Sequence, residues 1–228
     1  MFVACVYIII HLSFYQNQNT MNQEQFKYPE AQAGVIDGFY KEIFYDGEYD
    51  RYGAKVESGD VVIDCGSFVG MFSHFAMLKG AKQVYSIESN KSHYDCLVEN
   101  TKHIPQIKTY NGLVGDRRNE TNEYNVERVM DENNIQYVDF LKMDIEGSEY
   151  ATLINMGDDV MSRVRKWAIE FHIGWAKNQT KWEHGVDFDG HNTSKLLYIM
   201  DKFTRNGFKL GYEHIHKKYN IVMLYAWK

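Results

Sequence analysis

The sequence predicts an α/β fold built on a doubly wound, mostly parallel sheet that ends in an antiparallel C-terminal hairpin. From Val56 onward, short apolar runs alternate with amphipathic stretches, which is typical of strands and helices that alternate along a chain. The run Val61-Val62-Ile63 is entirely β-branched, as expected of a strand buried on both faces. Two strand-like runs around a lysine-rich turn close the chain and predict the hairpin.

The remaining elements follow from the spacing of apolar residues. After the first strand, helical spacing extends over residues 69–79 and stops at Gly80, a residue type that commonly ends helices. Further strands are predicted over residues 83–87, 107–110, 138–143, 167–171, 208–214 and 220–225. Further helices are predicted over residues 91–101, 126–132, 149–155 and 193–205, and residues 115–125 are expected to form a loop or an irregular hairpin.

Length and composition indicate one globular domain of ordinary solubility. The chain has 228 residues, of which 44% are apolar and 25% are charged. The formal charge of -6 gives no support for binding to a phosphate backbone, so we expect no nucleic-acid partner. Cys5, Cys65 and Cys96 lack metal-ligand spacing and are expected to be free thiols in a reducing, cytoplasmic compartment. The oligomeric state has no signature in the sequence.

The N-terminal residues 1–25 are interpreted as an extension of uncertain role, ahead of a main domain over residues 26–228. The apolar run over residues 1–14 is shorter than the roughly 20 residues of a membrane span, and it lacks the basic start and cleavage site of a signal peptide. It could be a weak membrane anchor, an added strand or helix, or sequence upstream of a start at Met21. A non-catalytic extension is favoured over membrane contact.

A ligand site is expected after the first two strands, because ligands of open α/β sheets lie beyond the carboxyl ends of the strands. Gly66 and Gly70 would let the backbone approach a ligand closely, and Asp64 suits a cationic ligand end. The second strand ends at Glu88, eighteen residues after Gly70, where an acid in such folds holds ribose hydroxyls. Two acids favour a ligand with a ribose and a positive sulfonium-bearing amino acid, and disfavour a pyrophosphate. A glycine-rich turn without a ligand remains the alternative for the first loop alone.

Ionisable residues are crowded after the fourth and fifth strands. Lys142, Asp144, Glu146 and Glu149 lie within eight residues, and strand alternation predicts that the first three share one side. The fifth strand ends in Glu170-Phe171-His172, whose acid and imidazole are expected to reach the same mouth. This group would be an acid/base cluster, a hydrogen-bond network around a substrate or, less favoured, a divalent metal site.

Three stretches resemble the FkbM family of methyltransferases: GDVVIDCGSFVG at residues 59–70, IESN at residues 87–90 and VDFLKMDIEGSE at residues 138–149. The resemblance covers roughly residues 41–172, and its specific part is the string Lys-x-Asp-x-Glu-Gly-x-Glu. It implies a class I methyltransferase (Rossmann-like) fold, S-adenosylmethionine as the methyl donor and, usually, O-methylation. The family often has proline where this chain has Ser89.

The resemblance also implies roles for single residues. Asp64, Gly66 and Gly70 would line the methionine end of the cofactor and Glu88 would hold its ribose, while the adenine contacts would come from residues 112–116. The full set of expected cofactor-binding residues is Asp64, Gly66, Ser67, Gly70, Glu88, Ser89 and Asp144.

The predicted function is S-adenosylmethionine-dependent O-methylation of a hydroxyl group on a sugar, a glycan or another small metabolite. Asp144, Glu170 and His172 are the expected catalytic residues, with Asp144 as the candidate base, and no metal ligand is assigned. Asp144 could equally hydrogen-bond the cofactor or cap the next helix. The alternative function is a non-catalytic cofactor-binding or structural domain derived from a methyltransferase. A nicotinamide-dependent oxidoreductase is disfavoured because the G-x-G-x-x-G fingerprint is absent.

Overall fold

The computed structural model describes residues 25–115, 124–172, 193–216 and 221–228. Within these residues, seven strands form one sheet in the order β3-β2-β1-β4-β5-β7-β6. The strands are β1 (Val61–Cys65), β2 (Gln83–Glu88), β3 (Ile107–Asn111), β4 (Val138–Met143), β5 (Val164–His172), β6 (Lys209–His216) and β7 (Ile221–Trp227). Strand β7 runs antiparallel to both of its neighbours, β5 and β6, and the pairs among the first five strands are parallel. The mostly parallel sheet and its antiparallel C-terminal hairpin are therefore confirmed.

Helices connect these strands, and most of them lie where the sequence predicts them. The helices of the described residues are α1 (Ile36–Phe44), α2 (Met71–Leu78), α3 (Lys91–Thr101), α4 (Val126–Glu132), α5 (Glu149–Asn155), α6 (Asp158–Ser162) and α7 (Thr193–Arg205). A short 3₁₀ helix, Glu30–Gln32, precedes α1. The predicted bounds of α3, α4, α5 and α7 are confirmed. Helix α2 begins later than predicted because Gly70 has a φ of 92°, a left-handed conformation that does not belong to a right-handed helix.

Several features of the fold were not predicted from the sequence, among them helix α1, the short helix α6 and the start of strand β5. Helix α1 was missed because its N-cap residue, Val35, makes no side-chain capping bond and so leaves no start signal. Strand β5 begins three residues before the predicted Trp167, because Arg165 and Lys166 interrupt its apolar pattern. These two side chains instead pair with acids at the amino ends of β1 and β4: Arg165 pairs with Asp139, and Lys166 pairs with Asp60.

The sheet is buried on both faces, as a doubly wound fold requires. On one face, Val62 and Phe140 of adjacent strands pack in a cluster with Phe72 of α2. On the other face, Ile63 and Leu141 pack in a larger cluster that also contains residues of α4, α5, α6 and α7. Consecutive strand residues thus belong to opposite clusters, which follows from the period of two in a β-strand.

The loop after β1 is shaped by its contact with the end of β4. Gly66 has a φ of 77°, and a Cβ atom at this position would lie 1.7 Å from the backbone oxygen of Asp144. The backbone N–H of Asp144 in turn donates to the carbonyl of Cys65 at 3.0 Å. The glycine at position 66 is therefore required by the packing of two strand ends, whatever ligand binds beyond them.

The N-terminal expectations lie outside the described residues. The structure describes nothing before Gln25, so the interpretation of residues 1–25 and of the apolar run at 1–14 stays a prediction. Among the described helices, none is long and apolar enough to cross a membrane. Cys65 is buried and Cys96 half-buried, and both are free thiols.

Gly66→Ala should destabilise the protein far more than Gly207→Ala. Both glycines have a positive φ, but a Cβ at Gly207 would meet no atom within 4 Å. We therefore expect about 1–2 kcal/mol from backbone strain alone at Gly207. At Gly66 we expect at least ~3 kcal/mol more, because backbone atoms of β4 must move. Urea denaturation measures both free energies of unfolding, and equal losses would contradict the packing described for the β1 loop.

Candidate active site at the carboxyl ends of the strands

A buried ion pair joins the carboxyl ends of β1 and β4. Asp64 and Lys142 are register partners in these strands, and Lys142 Nζ lies 3.4 Å from Asp64 Oδ1. The same ammonium donates to the carbonyl of Gly66 at 2.5 Å. The other oxygen of Asp64 accepts a hydrogen bond from Ser73 Oγ at 2.7 Å. Asp64 is 0% exposed, so its expected contact with a cationic ligand end is not direct in this geometry.

The charge of Lys142 is maintained by the acids around it. Burial opposes the ammonium form, but the carboxylates of Asp64, Asp144 and Glu170 together raise the pKa of Lys142 above its ordinary value. Asp144 Oδ2 lies 3.8 Å from the ammonium. The ring of Tyr49 lies on another side, with its centroid 5.2 Å from Nζ, within the range of a cation–π contact.

Glu88 lies at the end of β2, beside the loop that follows β1. Its carboxylate accepts the backbone N–H of Phe68 at 2.8 Å through Oε2 and that of Asn90 at 2.7 Å through Oε1. Burial raises the pKa of Glu88 to about 7, although these two N–H donors act in the opposite direction. His93 Nδ1 lies 3.8 Å away, and burial lowers the pKa of this histidine, so it is neutral at pH 7.

The other residues expected around the cofactor have mixed positions. The Ser67 hydroxyl is buried and donates to the carbonyl of Asp64 at 2.8 Å, so it faces the loop interior. Ser89 directly follows Glu88 and is exposed. Gly70 is the N-cap residue of α2. Of the expected adenine-contacting residues, 112–115 follow β3, with the N–H of Gly112 donating to the carbonyl of Glu88 at 3.0 Å, and residue 116 lies outside the described residues.

Asp144 and Glu170 are brought together by a residue that the sequence did not reveal. Tyr49 lies between α1 and β1, and its hydroxyl donates to Glu170 Oε2 at 2.8 Å and lies 3.2 Å from Asp144 Oδ2. The Tyr225 hydroxyl donates to the carbonyl of Glu48 at 2.7 Å and so fixes the backbone next to Tyr49. Tyr49 is one of seventeen tyrosines and lies in an irregular segment, so no residue pattern in the sequence identifies it as a site residue.

The environment of Glu170 favours its protonated form. Burial, reinforced by the negative charge of Asp144, holds the pKa of Glu170 well above its ordinary value. The alternative that Asp144 caps the next helix is wrong, because the N-cap residue of α5 is Ser148 and the Asp144 carboxylate accepts a hydrogen bond from Tyr49. The Asp144 side chain is therefore left facing Tyr49 and Lys142.

His172 is enclosed by three glutamates. Its Nδ1 lies 3.4 Å from Glu149 Oε1, and its Nε2 lies 3.6 Å from both Glu146 Oε2 and Glu170 Oε1. Burial disfavours the imidazolium, but the carboxylate of Glu149 raises the pKa of His172 to about 10. Burial disfavours the charged form of Glu149 as well, but the positive charge of His172 holds the pKa of Glu149 below its usual value.

Glu146 reaches this cluster by a different route from the one predicted. Strand β4 ends at Met143, before alternation could place Glu146 beside Lys142. A turn in which Glu146 has a φ of 52° then carries this mostly exposed side chain back to His172. The three expected catalytic residues, Asp144, Glu170 and His172, therefore do lie together. The sequence also suggests Trp175, Trp182 and His184 as a lid or acceptor wall, and these three lie outside the described residues.

The sequence profile of the methyltransferase FkbM domain matches residues 64–210, more than half of the chain. The chain belongs to the FkbM methyltransferase family. A curated relative, 31-O-demethyl-FK506 methyltransferase FkbM of Streptomyces tacrolimicus, is 47% identical over 47 residues. That match covers 21% of this FkbM family chain and 18% of the relative, so it spans only about a fifth of each protein.

Solved structures of methyltransferases share the fold of this FkbM family member. Precorrin-6y C5,15-methyltransferase from Geobacter metallireducens superposes with a TM-score of 0.52 at 10% identity, covering 90% of this chain and 95% of the other. The fibrillarin pre-rRNA processing protein of Methanococcus jannaschii gives a TM-score of 0.51 at 14% identity, covering 78% and 69%. At such identities the likeness concerns the fold alone. It confirms the class I, Rossmann-like fold, the S-adenosylmethionine-binding fold of this family.

Lys142→Met should destabilise the protein by about 3–5 kcal/mol, because it leaves the carboxylate of Asp64 buried without its counter-charge. Lys91→Met is the matched control, since Lys91 pairs with Asp95 on the exposed surface of α3. This control should change the free energy of unfolding by less than about 0.5 kcal/mol. Chemical denaturation of both variants tests the prediction, and a similarly small effect at Lys142 would count against a structural ion pair.

Proposed function

We propose that this FkbM family protein transfers the methyl group of S-adenosylmethionine to a hydroxyl group of a sugar, a glycan or another small metabolite. The observation that carries the proposal is the placement of two polar centres on one sheet edge. Glu88 stands at the end of β2, and the Asp144–Tyr49–Glu170 group stands at the ends of β4 and β5. One centre suits the donor and the other suits the acceptor.

The residues after β1 and β2 fit the donor. Each oxygen of Glu88 accepts one backbone N–H and retains capacity for a further hydrogen bond, so the carboxylate can also accept ribose hydroxyls. Gly66 and Gly70 let the β1 loop pack closely, because a Cβ would meet the backbone of Asp144 at Gly66 and the side chain of Leu97 at Gly70. Ser67 would contribute through its backbone, and the exposed Ser89 through its side chain.

The charge of the site also fits the donor. Asp64, Asp144 and Glu170 surround Lys142, so acids outnumber the buried ammonium at this edge of the sheet. When bound, S-adenosylmethionine supplies an electrophilic methyl group on a cationic sulfur. Excess negative charge attracts such a cation and would repel a pyrophosphate.

The Asp144–Tyr49–Glu170 group fits an acceptor hydroxyl. The acceptor oxygen forms a bond to the methyl carbon as the carbon–sulfur bond breaks, with its electron pair staying on sulfur, and the hydroxyl proton passes to a carboxylate. Asp144 or Glu170 can take that proton, and the Tyr49 hydroxyl between them holds both carboxylates in register. His172 pairs with the other carboxylate oxygen of Glu170. Most of the catalysis comes from positioning the acceptor.

Methyl transfer is tested with S-adenosylmethionine labelled with ¹³C in its methyl group and a panel of hydroxylated sugars, glycans and small metabolites. We expect a new methoxy carbon signal in the NMR spectrum of at least one acceptor, together with S-adenosylhomocysteine. A folded protein that binds the donor but methylates none of the panel would favour the non-catalytic cofactor-binding domain. Transfer to nitrogen alone would contradict the hydroxyl acceptor.

Glu88→Ala should weaken S-adenosylhomocysteine binding by roughly 1.5–3 kcal/mol, as expected for loss of a charged hydrogen-bond partner. In the unmodified protein, affinity should rise with pH and level off above about 7, because protonated Glu88 must lose its proton before it accepts both ribose hydroxyls. Glu88→Gln should remove this pH dependence. Calorimetry across pH measures both effects, with the exposed Glu99→Gln as the control. Unchanged affinity in Glu88→Ala would refute the ribose assignment.

Asp144→Asn should leave S-adenosylhomocysteine affinity nearly unchanged and lower kcat by about a hundredfold or more, the usual contribution of a general base. Tyr49→Phe should lower kcat by roughly tenfold to a hundredfold through misplacement of the two carboxylates. Tyr137→Phe, on the exposed surface, is the control. Equal losses of cofactor affinity and turnover in Asp144→Asn would make Asp144 a cofactor ligand.

A further inference from the structure

We propose that Asp144, Glu149 and His172 bind one divalent cation, of the Mn²⁺ type, next to the acceptor pocket. The three residues come from different elements: the end of β4, the first turn of α5 and the end of β5. One potential ligand atom from each lies within 4.8 Å of the other two. The sheet topology thus brings an imidazole and two carboxylates to one point.

The spacing is close to that of an occupied site. Around a six-coordinate cation with bonds of roughly 2.1–2.3 Å, ligand atoms are separated by roughly 3 Å when adjacent and roughly 4.4 Å when opposite. The limit of 4.8 Å exceeds the separation of opposite ligands by a few tenths of an ångström, and atoms that become adjacent ligands would move closer together. Glu149 and His172 are buried, whereas Asp144 is half-buried, so water or an acceptor oxygen would complete the coordination on its side.

Two of the three side chains carry buried atoms that lack hydrogen bonds. His172 is only 4% exposed, and its Nδ1 has no hydrogen-bond partner among the described residues. Glu149 is 0% exposed; its Oε1 accepts two backbone N–H groups, but its Oε2 has no such partner. Buried polar atoms are nearly always hydrogen-bonded. A coordinated cation would satisfy both residues at the same place.

The charges of the cluster favour a cation as well. Glu146 and Glu170 also lie 3.6 Å from His172, so four carboxylates meet around this imidazole. The nearby ammonium of Lys142 already contacts Asp64 and the carbonyl of Gly66. A donor set of one imidazole and carboxylate oxygens suits a transition metal such as Mn²⁺ better than an all-oxygen cation such as Ca²⁺.

The use of this cation in catalysis rests on the proposed function. A cation bound by Asp144 would hold the acceptor oxygen and stabilise its deprotonated form. Glu170, hydrogen-bonded to Tyr49, is then the carboxylate left to take the proton. The cation site itself is independent of methyl transfer and is tested by binding.

The test is a titration of the chelator-treated, 228-residue chain with Mn²⁺ at about pH 8, followed by the electron paramagnetic resonance signal of the free ion. We expect saturable binding of one ion per chain. Glu149→Gln and His172→Gln should each lower the affinity at least about tenfold. Glu149→Gln retains an oxygen for the backbone N–H groups of Ile145 and Gly147. Asp201→Asn, which removes an exposed carboxylate on α7, is the control and should bind normally.

Circular dichroism identifies any variant that does not fold. In that case Asp144→Asn, which changes a half-buried side chain, is used instead, and its Mn²⁺ affinity is compared with that of the unmodified chain. The site is refuted if Mn²⁺ does not bind saturably, or if the folded variants bind it as tightly as the unmodified chain. Methyl transfer that persists without any Mn²⁺ binding would overturn the cation site and leave the methyltransferase proposal intact. Mn²⁺ binding that requires these residues, in a protein that transfers no methyl group, would support the site and contradict the proposed function.

Discussion

The polar edge of the sheet depends on the buried ammonium of Lys142. Placing a charge in the interior is unfavourable by several kcal/mol unless opposite charges and hydrogen bonds surround it. Here the carbonyl of Gly66 and the carboxylates of Asp64 and Asp144 provide them. These partners belong to the β1 strand and loop and to the end of β4, so one side chain fixes both halves of the site relative to each other. The glycine at position 66 makes this close approach possible, because a Cβ there would overlap the backbone of Asp144.

That constraint divides the edge into two regions with different tasks. On the β1–β2 side, backbone N–H groups and a nearly buried acid, Glu88, form a hydrogen-bonding region that suits a nucleoside. On the β4–β5 side, acids are crowded around Tyr49 and His172, and charge dominates. A methyl donor with a nucleoside at one end and a cationic sulfur near the other would extend across both regions. In the proposed function, the acceptor would approach from the side of the acids, in line with the bond that breaks.

The sequence predicted the elements well where local patterns determine them. Helices α3, α4, α5 and α7 have the predicted bounds because their apolar residues recur at helical spacing, and Asn90 and Asn125 accept backbone N–H groups at two of their starts. It also predicted that Asp144, Glu170 and His172 meet, since the ends of parallel strands share one edge. The burial of Asp64 was not predictable, because it depends on the register that sets Lys142 opposite it. The contacts of Tyr49, and those of Glu149 with the turn before α5, arise from irregular segments whose geometry no periodicity encodes.

The central claim is that this edge binds S-adenosylmethionine, and the most direct measurement is calorimetric titration of the purified protein with S-adenosylmethionine, S-adenosylhomocysteine and NAD in parallel. The two sulfur ligands should bind saturably at one site per chain, and NAD should not bind, because Asp64, Asp144 and Glu88 oppose its pyrophosphate. A folded protein that binds neither sulfur ligand would contradict the account. The protein would then have the fold of a methyltransferase but no working cofactor site.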